Sequence, residues 1–131
     1  HGTVSPRPGR RPLDRLAIGV SFVGLVVLLA PVRQDPGLHV LFNLAHVPGF
    51  ALLALLWAED LLAREWPPGR RFATVAVVGL LGAAATEGLQ SLVPGRYADL
   101  GDMLRNALGI AIGLGVHRLR PGLLATRLGR D

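Results

Sequence analysis

Residues 85–106 read ATEGLQSLVPGRYADLGDMLRN. An apolar run precedes this stretch and another follows it. Within it stand Glu87, Gln90, Arg96, Asp99, Asp102, Arg105 and Asn106. Pro94 and Gly95 sit midway and mark a turn between two apolar segments. The stretch therefore reads as the tip of a helical hairpin, with polar residues crowded at one end of each arm.

The same pattern extends outward. Four apolar runs cover residues 16–32, 38–57, 72–93 and 100–116. Each is close to the ~17–25 residues that a helix needs to cross hydrocarbon. A soluble core helix would carry a polar stripe along its length, whereas here the polar residues gather at the ends. Within lipid the backbone must satisfy its own hydrogen bonds, which favours helices. The expected fold is all-α, an integral membrane bundle of four transmembrane helices. The whole chain, 1–131, reads as a single transmembrane domain, with residues 1–12 as a flexible N-terminal tail and 119–131 as a cytoplasmic C-terminal tail. His1-Gly2-Thr3 reads as the remainder of an expression tag. The first run has bulky Val27, Leu28 and Leu29 where a signal-peptide cleavage site needs small residues, so it reads as a retained helix.

Composition agrees. Half of the 131 residues are hydrophobic, and the mean hydropathy is +0.43. The net charge of +5 comes from 14 arginines with no lysine among them. These arginines alternate with apolar runs, so topology explains them better than nucleic-acid binding does, and no nucleic-acid partner is expected. No cysteine is present, which excludes disulfides and thiolate metal sites.

Arginines cluster in the N-terminal tail (Arg7, Arg10, Arg11, Arg15), in the middle loop (Arg64, Arg70, Arg71) and in the C-terminal tail (Arg118, Arg120, Arg127, Arg130). The other two connections carry only Arg33 and Arg96. The positive-inside rule then puts both termini and the middle loop in the cytoplasm. Trp57 and Trp66 flank the middle loop as interfacial aromatics would. In this orientation His39, Asn43, His46, Glu87, Gln90, Asp102, Arg105 and Asn106 all fall in the outer half, and the inner half is expected to be almost wholly apolar. His39, Asn43 and His46 are four and then three residues apart, so they share a helix face. Glu87 with Gln90, and Asp102 with Asn106, align in the same way. Three matched faces predict a common cavity. Charged groups inside a membrane are costly and face a bundle interior or water, which makes them a functional-site hypothesis by default.

Two readings stand for most of these residues. Glu87 and His46 are candidate acid or base groups, or Glu87 pairs with Arg96 or Arg105 as a lock and His46 makes an interhelical hydrogen bond with no further role. Arg96 and Arg105 are candidate phosphate ligands, or Arg105 snorkels to the interface. Asn43, Gln90 and Asn106 are candidate ligand-binding amides. Asp99 and Asp102 offer the oxygen ligands that Mg²⁺ prefers, or they cap the last helix. Gly109 and Gly113 form a Gly-xxx-Gly pair that permits close helix contact within the bundle.

The polar stretch also resembles the signature of the VanZ-like membrane proteins. It has a Glu-x-x-Gln pair at Glu87 and Gln90, a Pro-x-Arg turn at Pro94 and Arg96, an Asp-x-x-Asp pair at Asp99 and Asp102, and Asn106 with Gly109 near the start of the last helix. His46 with Phe50 resembles that family's His-x-x-x-Tyr/Phe element. Phe42 and Asn43 stand where many relatives carry an Asp-Lys pair. The resemblance covers the second to fourth helices. It implies a multi-pass protein of the bacterial cytoplasmic membrane, with a link to the cell envelope and to glycopeptide resistance. Together with the polar cluster it leads to an expected partner, a membrane lipid such as a phosphorylated or glycosylated envelope precursor, that is bound or modified in the outer leaflet. The alternative is a non-enzymatic scaffold or assembly protein with a membrane-protein partner, whose polar cluster is a structural lock. Neither an enzymatic activity nor a cofactor follows from the residues alone.

Overall fold

The computed structural model describes residues 11–29, 36–94 and 100–124. Four helices occur among the described residues: α1 (Arg11–Leu29), α2 (Pro36–Ala63), α3 (Pro68–Gln90) and α4 (Leu100–Leu119). No strand occurs among the described residues.

The helix boundaries follow from local chemistry. Pro36 opens α2 at the first helical position, where its missing N–H leaves no bond unmade. Pro67 and Pro68 do the same for α3, with Pro67 extended at the cap. Between them α2 ends at Ala63, and Glu65 takes a left-handed backbone with φ 62°. The chain therefore reverses in a tight corner, and the middle loop is much shorter than the sequence suggests. At the far end of α3, Ser91 N–H bonds back to the Glu87 carbonyl. In α4, Asp102 lies in the first turn and His117 and Arg118 in the last, which suits the helix dipole at both ends.

α2 and α4 form the tightest pair. A Cβ on Gly109 would stand 2.6 Å from the Val47 carbonyl oxygen and 2.9 Å from Phe50 Cβ. A Cβ on Gly113 would collide with the Ala51 carbonyl and with Ala54 Cβ. The Gly-xxx-Gly pair thus sets the approach of the two backbones, as expected for small residues at a helix crossing. Around this seam Phe50, Ala54, Ala58, Leu61, Val75, Ala83 and Ile110 form the apolar core. The outward faces are also apolar: Phe22, Leu44, Leu81 and Leu104 are each well exposed. Such a surface is far greasier than a water-facing one of this size should be.

Among the described residues two stretches, Asn43–Ala63 and Pro68–Gln90, are long and apolar enough to cross a membrane. The sequence expectation was four. α1 opens on charge, with Arg11, Asp14 and Arg15 in its first turns, and α4 carries Asp102, Arg105 and Arg118. Four membrane-spanning helices are therefore not shown by the described residues.

Candidate functional site

Polar residues gather at the end of the bundle where α3 leads into α4. His46 on α2 and Asn106 on α4 are 5% and 1% exposed, and His46 Nδ1 lies 2.7 Å from Asn106 Oδ1. An amide oxygen only accepts, so Nδ1 carries the hydrogen and donates it. In the neutral ring Nε2 is then an acceptor. Asn106 Nδ2 is buried without a hydrogen-bond partner among the described residues. Phe50, one turn along α2, stacks on the imidazole with ring centroids 6.4 Å apart.

Arg105 donates to Asp102 at 2.6 Å, an i, i+3 pair along α4. Arg105 and Asn43 also line a recess of about 330 Å³ with Val40, Leu44 and Val47. Glu87 and Gln90 are buried, at 5% and 3% exposure. They continue the stripe of α3 on which Gly79 faces Ile110 of α4 and Ala83 is fully buried. Next to them, Thr86 Oγ1 donates to the Gly82 carbonyl at 2.7 Å.

The structure therefore brings His46 to Asn106, Asn43 to Arg105, and Asp102 to Arg105. Arg96 and Asp99 lie outside the described residues, as does the side chain of His39. Among the described residues no group of three or more His, Cys, Asp or Glu side chains can hold a metal ion.

Below the core lies a second polar cluster, and it corrects the expectation of an almost wholly apolar inner half. Glu59, Asp60, Arg71 and His117 are buried, Glu59 and His117 completely. His117 Nδ1 lies 3.0 Å from Glu59 Oε1, and Gly122 N–H donates to the same oxygen at 3.1 Å. Arg64 Nε donates to Asp60 Oδ2 at 2.9 Å, and its Nη2 bridges to Asp14 on α1. A hydrogen bond with Asp60, reinforced by the Arg64 guanidinium, holds the Asp14 carboxyl below its ordinary value. Hydrogen bonds to Asp60 and then Asp14 raise Arg64. Arg71 Nη1 donates to the Trp66 carbonyl at 2.8 Å, and the Arg70 guanidinium sits 4.1 Å over the Trp66 ring. Trp57 is not a bare interfacial anchor either: its indole N–H donates to Ser21 Oγ on α1 at 3.1 Å.

Sequence reasoning did not single out this cluster, because Glu59 and Asp60 fall beyond the apolar run of the second helix. A signal for it was present. Asn106, Gly109, Gly113 and His117 recur at three- and four-residue intervals, so His117 lies on the α2-facing stripe of α4.

An all-α fold with an apolar exterior and two helices long and apolar enough to cross a membrane among the described residues fits a membrane protein. The VanZ/LLP1 family model matches residues 12–121, and the chain belongs to that family. No curated protein and no solved structure matches it.

Proposed function

We propose that this VanZ-family protein crosses the membrane four times with both termini cytoplasmic, and that its α2–α3–α4 polar site binds or modifies a phosphorylated or glycosylated envelope lipid in the outer leaflet. The observation that carries this reading is Asn106, almost fully buried, held by His46 and left with an unused Nδ2 donor. A buried amide donor without a partner costs ~1–3 kcal/mol, a cost that a ligand oxygen would remove. Asn43 and Arg105 line the adjoining recess and supply the polar and cationic contacts that a phosphate or sugar needs. Gln90, Arg96, Asp99 and Asp102 complete the proposed binding set, and Glu87 and His46 are the groups suited to moving a proton. Tolerance of glycopeptides would follow from altered supply or exposure of the lipid.

The Glu87→Gln variant tests this. It keeps the shape and removes the charge. We expect it to melt within a few degrees of wild type in detergent, and to lose both lipid-phosphate binding and the cellular phenotype. A folded Glu87→Gln protein with full binding and full phenotype removes Glu87 from the site.

One observation favours a scaffold instead. His46 with Asn106 and Asp102 with Arg105 already close on each other. On that reading Glu87→Gln breaks a buried pair and the protein melts early, as loss of one partner costs ~3–5 kcal/mol.

The topology has its own test. Cysteines at Gly37 and Tyr97 should react with an impermeant maleimide added to intact cells, and a cysteine at Gly69 should not. Labelling at Gly69 alone would invert the orientation and move the polar site to the inner leaflet.

A further inference from the structure

One cavity in the molecule is not polar. It has a volume of about 470 Å³ and runs among all four helices. Its walls include Gly24 and Ser21 of α1, Trp57 of α2, Gly79 and Gly82 of α3, and Ile110 of α4. The size suits a small-molecule site, commonly ~300–1,000 Å³. Its few polar groups are largely occupied: Ser21 accepts from Trp57, and Thr86 donates to its own helix.

Three residues join this cavity to the polar site. Phe50 lines it and stacks on His46. Thr86 lines it and precedes Glu87. Ile110 lines it one turn beyond Asn106. One end of an apolar slot thus abuts buried polar side chains, among them Asn106, whose Nδ2 has no hydrogen-bond partner among the described residues. That polarity matches an amphiphile and not a solute.

We propose that one hydrocarbon chain of a phosphate-bearing lipid threads the cavity between α1 and α3, while its headgroup sits at His46, Asn106 and Arg105. This rests on the lipid reading above and extends it by giving the tail a built site. The headgroup alone would not be a sufficient ligand. Bilayer hydrocarbon is as apolar as the slot, so the slot selects a chain by packing, and the amide and guanidinium donors supply the polar attraction and the orientation.

Two glycines make the cavity testable. A Cβ on Gly24 or on Gly82 meets nothing within 4 Å. Gly24→Leu and Gly82→Leu therefore place side chains into the slot from opposite helices without displacing backbone. Trp57 in the wall is the reporter. In a Trp66→Phe background it is the sole tryptophan, and a bromine on a chain lying beside it quenches its fluorescence.

The experiment titrates ω-bromododecyl phosphate into nanodiscs of unbrominated lipid that contain the Trp66→Phe protein. Quenching should saturate at low probe fraction. Each glycine variant should weaken it by about tenfold or more, at unchanged melting temperature. ω-Bromododecanol and the Asn106→Ala variant should each bind more weakly than the parent pair. Inorganic phosphate at the same concentration should not displace the probe, since a free-phosphate site would not involve the chain. Quenching that rises linearly with probe and is the same in Gly24→Leu and Gly82→Leu would mean ordinary lipid contact and would overturn the cavity as a tail site, while leaving the Glu87→Gln test of the headgroup reading intact. Saturable quenching that is lost in both glycine variants but indifferent to the phosphate and to Asn106→Ala would overturn the link between tail and polar site.

Discussion

Gly113→Ala is expected to destabilise the bundle by about 2–3 kcal/mol, with a melting temperature in detergent lower by roughly 10 °C. The added methyl group would be driven into the Ala51 carbonyl and Ala54 Cβ of α2. Neither is the end of a flexible side chain, so relief requires the two helix backbones to move apart. That movement would also loosen Phe50 and Ile110 in the core and the His46–Asn106 bond above them. Helix propensity acts the other way, since alanine is favoured over glycine by ~1 kcal/mol, and the steric term is the larger. Gly115→Ala in the same helix is the control. A Cβ there meets nothing within 4 Å, so only the propensity gain remains. Gly109→Ala should behave like Gly113→Ala. If Gly113→Ala melts together with Gly115→Ala, the close α2–α4 crossing is wrong.

Loss of Glu59 should be costlier still. Glu59→Ala strips His117 Nδ1 and Gly122 N–H of their shared acceptor at a fully buried position. Breaking a buried pair from one side costs ~3–5 kcal/mol. Glu59→Gln retains an oxygen acceptor and should cost less, which separates the hydrogen bond from the charge. The decisive variant is the double replacement Glu59→Leu with His117→Leu. Removing both partners for apolar groups of similar volume is often neutral or stabilising. The double variant should therefore be more stable than Glu59→Ala, and more stable than His117→Leu alone. Thermal unfolding of wild type, Glu59→Leu, His117→Leu and the double variant forms a cycle, and simple additivity would show that the two residues do not act as a pair.

These two expectations come from parts of the molecule that were unequally legible. The closeness allowed by Gly109 and Gly113 could be read from their spacing. Which backbone atoms they meet could not, because Val47 and Ala51 are in a different helix more than sixty residues away along the chain. Glu59 was not singled out, because the apolar run ends at Trp57. The helix does not end there: backbone hydrogen bonding carries it on to Ala63, and the two acids are turned inward. The limit of an apolar run and the limit of a helix are different physical quantities. One records the preference of side chains for a solvent, the other a bonded backbone that continues until a proline or a left-handed residue stops it.

At the polar end the helical faces were legible and the pairings were not. Asn43 and His46 share a face by spacing, as do Asp102 and Asn106. In the structure Asn106 reaches His46, whereas Asp102 turns to Arg105 on its own helix. Spacing orders residues around one axis and carries no information about the rotation of its neighbour.

The sequence by itself determined four helices, their order, the small-residue seam on α4 and the concentration of polar groups near the α3–α4 connection. Each depends on solvent preference or on backbone restrictions within a few residues, which act the same in any context. Only the tertiary structure decided that His46 holds Asn106, that Glu59 and His117, 58 residues apart, share a hydrogen bond, and that a cavity of about 470 Å³ opens among all four helices. Those features depend on how the helices rotate and cross. The crossing is set where the Gly109 and Gly113 backbone meets α2, by steric fit between segments that no local pattern can register against one another.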